Sequence, residues 1–322
     1  MAQQVENTES RQGLIESHWK VALIIPTYNA AQLWPALSKG IRAQSRKPDQ
    51  VIVIDSSSTD GTTELARKDG FTVVAIPQHE FNHGGTRQMG ADLAGNADIL
   101  IYLTQDAVPF GADAFANLVR AFDDAEIGAA YGRQLPREKA GAIEAHARHF
   151  SYPAVSRVRL WESRRELGFK SIFFSDSFGA YRRSVLMSVG GFSPDVIFGE
   201  DTLVVARMHR AGWKTAYVAD AAVRHSHAYS IAEEFRRYFD IGVLHARENW
   251  LVEQFGSASG EGRRFVVSEL KYLFKHGAHH LVPSAVARTF AKYLGYTIGR
   301  RESGIAPELK HHLGLNKQYW SR

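Results

Sequence analysis

Several short groups of residues in this chain could do chemistry. Asp55 closes the apolar run Val51-Ile52-Val53-Ile54, where it could accept hydrogen bonds from a base or ribose or serve as an ordinary turn residue. Asp106 is the only carboxylate in the stretch LTQDAVP, placed to hold a hard divalent cation through oxygen, with diphosphate oxygens completing the shell. His225 and His227 stand two apart, so an extended backbone puts both rings on one face. Imidazole there would suit manganese, iron or zinc better than magnesium; packing or hydrogen bonding is the plainer use of such a pair. Glu200-Asp201 opens a helical stretch, where a carboxylate can cap the helix or act as a general base toward a hydroxyl. His83-Gly84-Gly85-Thr86-Arg87 joins two glycines to a guanidinium near a helix start, which suits phosphate as well as a simple glycine turn.

These groups need elements to hold them. Apolar runs at 21–25, 51–54, 71–76 and 99–103 predict strands, and helices are expected over about 31–44, 62–68 and 86–93. Strands alternating with helices imply a mainly parallel sheet covered on both faces. In such sheets ligands bind beyond the carboxyl ends of the strands, and polar clusters stand at three of these ends: Thr27 to Asn29, Asp55 to Asp60, and Gln105-Asp106. Asp60-Gly61 reads as a structural turn and helix start. The second half is less regular, with helices expected over 141–150 and 200–210, a strand over 217–224, mostly helix from Ile231, and a break at 256–260.

The chain has 322 residues, 44% hydrophobic and 23% charged, with no cysteine, so disulfide scaffolds and thiolate metal sites are excluded. There is no P-loop, no His-Glu-x-x-His, no Gly-x-Ser-x-Gly and no dinucleotide-binding glycine fingerprint. The net charge of +5 is unevenly spread. Residues 256–322 carry 11 Lys and Arg against 4 Asp and Glu, net +7, which leaves residues 1–255 at −2.

Taken in order, IIPTYN, VIVIDSSSTDGT, HGGTRQMG, LTQDAVP, SFGAYRRSVLMSVGGF, FGEDTLVVARMHRAGW and VRHSHAYS resemble the family 2 glycosyltransferases, inverting enzymes of the GT-A fold, over residues 20–250. The HGGTRQ, TQDAVP and HSHAYS forms, with YLGYTIGRR and HHLGLNKQYW in the tail, most resemble bacterial rhamnosyltransferases of surface polysaccharide assembly. The resemblance implies a Rossmann-like α/β domain over 20–255, after a mobile segment 1–19 and before a basic, amphipathic helical tail over 256–322. It implies a nucleotide-sugar donor, dTDP-β-L-rhamnose first and another nucleotide sugar second, lying against Pro26, Thr27, Tyr28, Asn29 and Asp55, with Arg87 and Gln105 also on the donor. By the same resemblance Asp106 and His225 would hold a magnesium or manganese ion, although the family often shows two or three acids where this chain has Thr104-Gln105-Asp106. Asp201 matches the family's general base and Glu200 is its understudy or neighbour. Asp176, Arg182, Arg183 and His227 would face donor sugar or acceptor.

The tail interleaves charge with apolar residues: Phe265, Val266, Leu270, Leu273 and Phe274 recur at near-helical spacing, as do Phe290, Tyr293, Leu294 and Ile298. Such stripes suit docking on the catalytic domain, on a second copy in a homo-oligomer, or on an anionic membrane surface. No stretch approaches the roughly 18 to 20 apolar residues of a spanning helix, and residues 1–17 have no apolar signal core. The expected enzyme is therefore cytoplasmic, peripheral on the inner face of the plasma membrane, with a glycan or lipid-linked acceptor and no nucleic-acid partner. A sugar-nucleotide nucleotidyltransferase is the rival enzyme, but it would normally carry a glycine-rich basic loop after the first strand, and IIPTYNAAQ has none. A non-catalytic anion-binding module is the other rival.

Overall fold

A computed structural model of the chain describes residues 19–256 and 259–321. Residues 1–18 of the expected mobile segment 1–19, and residues 257–258 of the expected break, lie outside the described residues. In chain order the first half runs β1 (Val21–Thr27), α1 (Trp34–Arg42), β2 (Gln50–Asp55), α2 (Thr62–Lys68), β3 (Thr72–Ala75), α3 (His83–Leu93), β4 (Ile99–Leu103), β5 (Val108–Phe110), α4 (Ala114–Arg120) and β6 (Ile127–Leu135). There follow α5 (Ala142–Ser151), β7 (Arg157–Arg159), α6 (Arg164–Leu167), β8 (Phe178–Arg182), α7 (Arg183–Ser188), α8 (Glu200–Arg210) and β9 (Lys214–Arg224). The chain continues through α9 (Ile231–Arg247), α10 (Asn249–Phe255), α11 (Ser259–Lys275), α12 (Val282–Gly299) and α13 (Pro307–Leu313).

All nine strands form one sheet of order β3-β2-β1-β4-β8-β6-β9-β5, with β7 also on β9. Burial is complete on both faces of the central strands: Val21, Leu23 and Ile25 of β1 enter one core with Ile99, Ile101 and Leu103 of β4, while Ala22, Ile24, Leu100 and Tyr102 enter the other. Helices α1 and α4 cover the first face, and α3 and α8 the second, which is why these strands read as unbroken apolar runs.

The sheet is mixed rather than mainly parallel. β1, β2, β3 and β4 pair in parallel as expected, but β8 runs antiparallel to both β4 and β6, and the short β5 and β7 run antiparallel to β9. The register matters for function. Phe178 pairs with Leu103 and Arg182 with Ile99, so β8 begins at the carboxyl end of β4 and carries its arginine to the opposite edge. Val108 pairs with Arg224, so the residues just before β5 and just after β9 come together.

The tail packs on the catalytic part. A Cβ on Gly295 would stand 2.2 Å from the Phe235 carbonyl, and one on Gly299 2.1 Å from that of Phe239, so α12 crosses α9 backbone to backbone. Buried Asp240 of α9 accepts from the backbone amides of Leu315 and Asn316 at 3.1 and 3.0 Å, pinning the last segment. Asn316 in turn donates to Ile197 O at 3.0 Å, and Tyr319 to Asp195 O at 3.1 Å.

Candidate active site

The strand order places the ends of β2, β1 and β4 side by side, at the point where successive connections leave in opposite directions; this is where open α/β sheets form a crevice. The loops after β1 and β2 are tied to each other. Asp55 is buried, and its Oδ2 accepts from Thr27 Oγ1 at 2.9 Å and Ser58 Oγ at 2.6 Å while Oδ1 accepts from the Ser58 amide at 2.8 Å. Asn29, at φ 47°, donates its amide to Ser58 Oγ and accepts from the Thr59 amide. Tyr28 and Gln105 bond reciprocally: the Tyr28 amide donates to Gln105 Oε1 at 2.8 Å and Gln105 Nε2 donates to Tyr28 O at 3.1 Å. These contacts make Asp55 and Gln105 organisers of the loops, and they leave the Tyr28 ring exposed at the crevice beside Pro26.

Beyond β4, Asp106 meets the end of β9. Its Oδ1 lies 3.3 Å from His225 Nε2, and its Oδ2 lies 3.7 Å from His227 Nε2 and 3.1 Å from Arg137 Nη2. Burial alone would raise the Asp106 pKa, but the hydrogen bond from His225 and the fields of both imidazoles hold it well below the usual carboxylate range. Burial, then the neighbouring His225, pushes His227 down to about 4. On its far side His225 faces Gln134 Oε1 across 2.9 Å from Nδ1. Arg148 donates to that same Oε1, so the atom is the amide oxygen and the histidine must carry its proton on Nδ1. With Nδ1 committed to Gln134, Nε2 is the atom that meets Asp106: carrying a proton it donates to the carboxylate, and without one it offers a lone pair to a cation held between them. One carboxylate and two imidazole nitrogens, all within 4.8 Å of one another, fit a small divalent ion.

The second carboxylate group lies at the start of α8, against the start of β8. Arg87 is buried, with Nε 3.1 Å from Asp176 and Nη1 3.0 Å from Glu200. Tyr181 donates to the other Asp176 oxygen at 2.8 Å. Asp201 is half-buried beside them and accepts from the Asp176 amide at 3.3 Å and the Thr202 amide at 2.6 Å. Burial, then the Glu200 charge, raises its pKa to about 6. Burial, reinforced by the charges of Asp201 and Glu200, pushes Asp176 well above the usual carboxylate range despite Arg87; of the three acids Asp201 is the one raised to about 6 and only half-buried.

Several expected positions change. Arg87 lies beneath the site rather than on donor phosphate, because α3 begins at His83 and its inward face carries the guanidinium between two acids. Gly84 belongs to the first turn of that helix: a Cβ there would stand 1.9 Å from Ser193 O, so close packing, not a turn, requires the glycine. Arg182 and Arg183 do not face donor or acceptor. The antiparallel run of β8 carries them to the far edge, where Arg182 donates to Phe122 O at 2.8 Å and Arg183 to Ala91 O at 3.2 Å. His227 joins the Asp106 cluster, and Asp176 is buried in the Arg87 network rather than open to ligand. Gln134 and Arg137 went unnoticed in the sequence; the one available signal was a polar run closing an apolar strand at 133–138.

A parallel half-sheet with polar loops at its carboxyl edge, a candidate cation site after β4 and a carboxylate cluster at the start of α8 define a GT-A-type fold. The family model described as glycosyl transferase family 2 matches residues 22–190, and the chain belongs to that family and is a glycosyltransferase. It is 45% identical to the O-antigen chain rhamnosyltransferase RfbN of Salmonella typhimurium, across 94% of this chain and 96% of that one. It is 42% identical to the O-antigen chain rhamnosyltransferase WbaN of Salmonella anatum, across 93% and 95% respectively. Among solved structures, the mannosyltransferase PcManGT from Pyrobaculum calidifontis, in complex with GDP-Man and Mn2+, aligns with a TM-score of 0.55 at 20% identity, covering 94% of this chain and 85% of that one. The last likeness supports the fold.

Proposed function

We propose that this protein is a rhamnosyltransferase of O-antigen assembly that moves L-rhamnose from dTDP-β-L-rhamnose to a hydroxyl of a lipid-linked glycan by one inverting displacement. The names of its two Salmonella relatives, matched along nearly their whole length, support the sugar and the pathway. The observation that carries the mechanism is the half-buried Asp201, raised to about 6, beside the buried Asp176–Arg87–Glu200 network. Asp201 takes the proton of the acceptor hydroxyl as its oxygen attacks the anomeric carbon; the bond from that carbon to the diphosphate oxygen breaks on the opposite face, and the diphosphate departs with the electron pair. Asp106, His225 and His227 would hold a magnesium or, better suited to imidazole, a manganese ion. Such an ion supplies positive charge to the departing diphosphate. Asp55, Thr27 and Asn29 hold the loops against which the nucleoside would rest.

A donor screen with purified full-length protein tests the assignment. The expected product is an α-L-rhamnoside, read by the anomeric coupling in NMR, and Asp201→Asn is expected to lower kcat by about 10³-fold while donor binding persists. Clear preference for another nucleotide sugar would remove the rhamnose assignment, and full activity in Asp201→Asn would remove the base.

The same proposal places the enzyme on a membrane. No helix among the described residues is long and apolar enough to cross one. The tail's stripes divide: Leu273 and Ile298 pack inward, whereas Phe274, Phe290 and Tyr293 are 65%, 64% and 67% exposed. Pro283, Val286, Ala287, Phe290, Tyr293 and Leu294 form a wholly uncharged outer face on α12, and the outer face of α11 carries Arg263, Arg264, Lys271 and Lys275. An apolar face next to a cationic one suits an anionic lipid surface, where a lipid-linked acceptor would be found.

A further inference from the structure

We infer that Arg237 of α9 is the residue that grips the donor diphosphate, a role that rests on the glycosyltransferase reading above. Its guanidinium carbon lies 4.7 Å from the ring centre of Phe198 and 5.6 Å from that of Tyr229, and Nη1 reaches Tyr229 Oη at 3.5 Å. Arg237 forms no ion pair among the described residues, and neither Nε nor Nη2 has a hydrogen-bond partner there. Other arginines near the site are engaged by acids, except Arg148, which donates to Gln134 and lies over the Tyr152 ring. Arg87 is held by two acids, Arg137 by Asp106 and Arg288 by Glu234.

The two aromatic supports show where this guanidinium points its function. Phe198 stands just before Glu200 and Asp201 at the start of α8. Tyr229 follows His227, and the two rings pack at 5.1 Å. Arg237 thus bridges the segment bearing the base to the segment bearing the cation ligands. A donor whose anomeric carbon faces Asp201 and whose phosphates face Asp106 and His225 must pass its diphosphate between those segments. The positive charge of Arg237 is felt at His227 of the cation cluster and, on the other side, at His83 next to Arg87. Stacking on two rings fixes the plane of the guanidinium, so its free N–H groups form a fork already oriented for two phosphate oxygens. As the glycosidic bond breaks and charge gathers on the leaving diphosphate, that fork gains in strength without moving.

The test uses the full-length protein and whichever of dTDP, UDP and GDP the wild type binds most tightly, together with the matching monophosphate, by calorimetry. Arg237→Met should weaken the diphosphate about tenfold or more, equivalent to about 1.4 kcal/mol, while the monophosphate changes less than about twofold; Arg237→Lys should recover part of the loss. Diphosphate affinity unchanged in a folded Arg237→Met protein would overturn the inference. So would equal losses for diphosphate and monophosphate, which mark a structural role, or a raised acceptor KM alone, which moves Arg237 to the acceptor. A wild type that binds none of the three diphosphates overturns the donor reading itself, and this inference with it; normal diphosphate binding without rhamnosyl transfer would count against the sugar assignment alone.

Discussion

Arg87 and Glu200 form a buried ion pair, with Nη1 3.0 Å from the carboxylate and Nε of the same guanidinium 3.1 Å from Asp176. One cation therefore serves two acids in a place with little water, and it holds the start of α8 against the start of β8. Removing it leaves Glu200 buried without its counter-charge and Asp176 without its guanidinium partner. Arg87→Met should cost about 3 to 5 kcal/mol in urea unfolding, since breaking a buried pair strands its partner. A loss under about 1 kcal/mol would mean that the network is not what holds α8.

As the proposed base, Asp201 should make the rate depend on pH. A base works when ionised, and burial with the Glu200 charge raises Asp201 to about 6, so kcat/KM should fall tenfold per unit below about pH 6 and level off above it. Glu200→Gln removes a neighbouring negative charge, so the midpoint should move to lower pH in the same profile. A midpoint that stays in place in Glu200→Gln would assign the titration to another group.

The proposed cation site should depend on a residue outside its ligand set. Gln134 Oε1 fixes His225 with its proton on Nδ1, leaving Nε2 for a ligand. Gln134→Leu frees the ring and should weaken manganese binding about 10- to 100-fold in calorimetric titration, with Asp106→Asn costing more. Transfer undiminished in excess chelator would remove the ligand roles of Asp106, His225 and His227 together.

The proposed membrane attachment can be tested apart from catalysis. Lys271→Gln with Lys275→Gln should cost about 2 kcal/mol in partitioning onto vesicles rich in phosphatidylglycerol, or about 30-fold, and Phe290→Ser with Tyr293→Ser should weaken it further. Neither pair touches the site, so turnover on a soluble acceptor should be unchanged. Equal binding to neutral and anionic vesicles would sink the electrostatic part, and no binding to either would leave the exposed face for a second copy, read by sedimentation.

Much was legible along the chain because it rests on local chemistry. Helix Thr62–Lys68, strand Ile99–Leu103 and helix Glu200–Arg210 fall where the sequence pattern puts them, although a left-handed glycine, Gly61 or Gly199, stands at each helix N-cap in place of a side-chain cap. The acids at 55, 106 and 201 stand at element ends, and such ends converge in any α/β sheet, so their types and places pointed to a site. What the sequence determined, then, is a set of strand and helix termini bearing polar residues. Tertiary structure decided their partners. Whether an arginine meets phosphate, a carbonyl or a carboxylate depends on strand direction and register, which no local pattern encodes: β8 turned antiparallel took Arg182 and Arg183 to the far edge, and the β5–β9 register brought His227 to Asp106. Arg87 vanished into the interior because two acids from distant segments were there to receive it, whereas Arg237, with no acid to meet, stayed open at the rim.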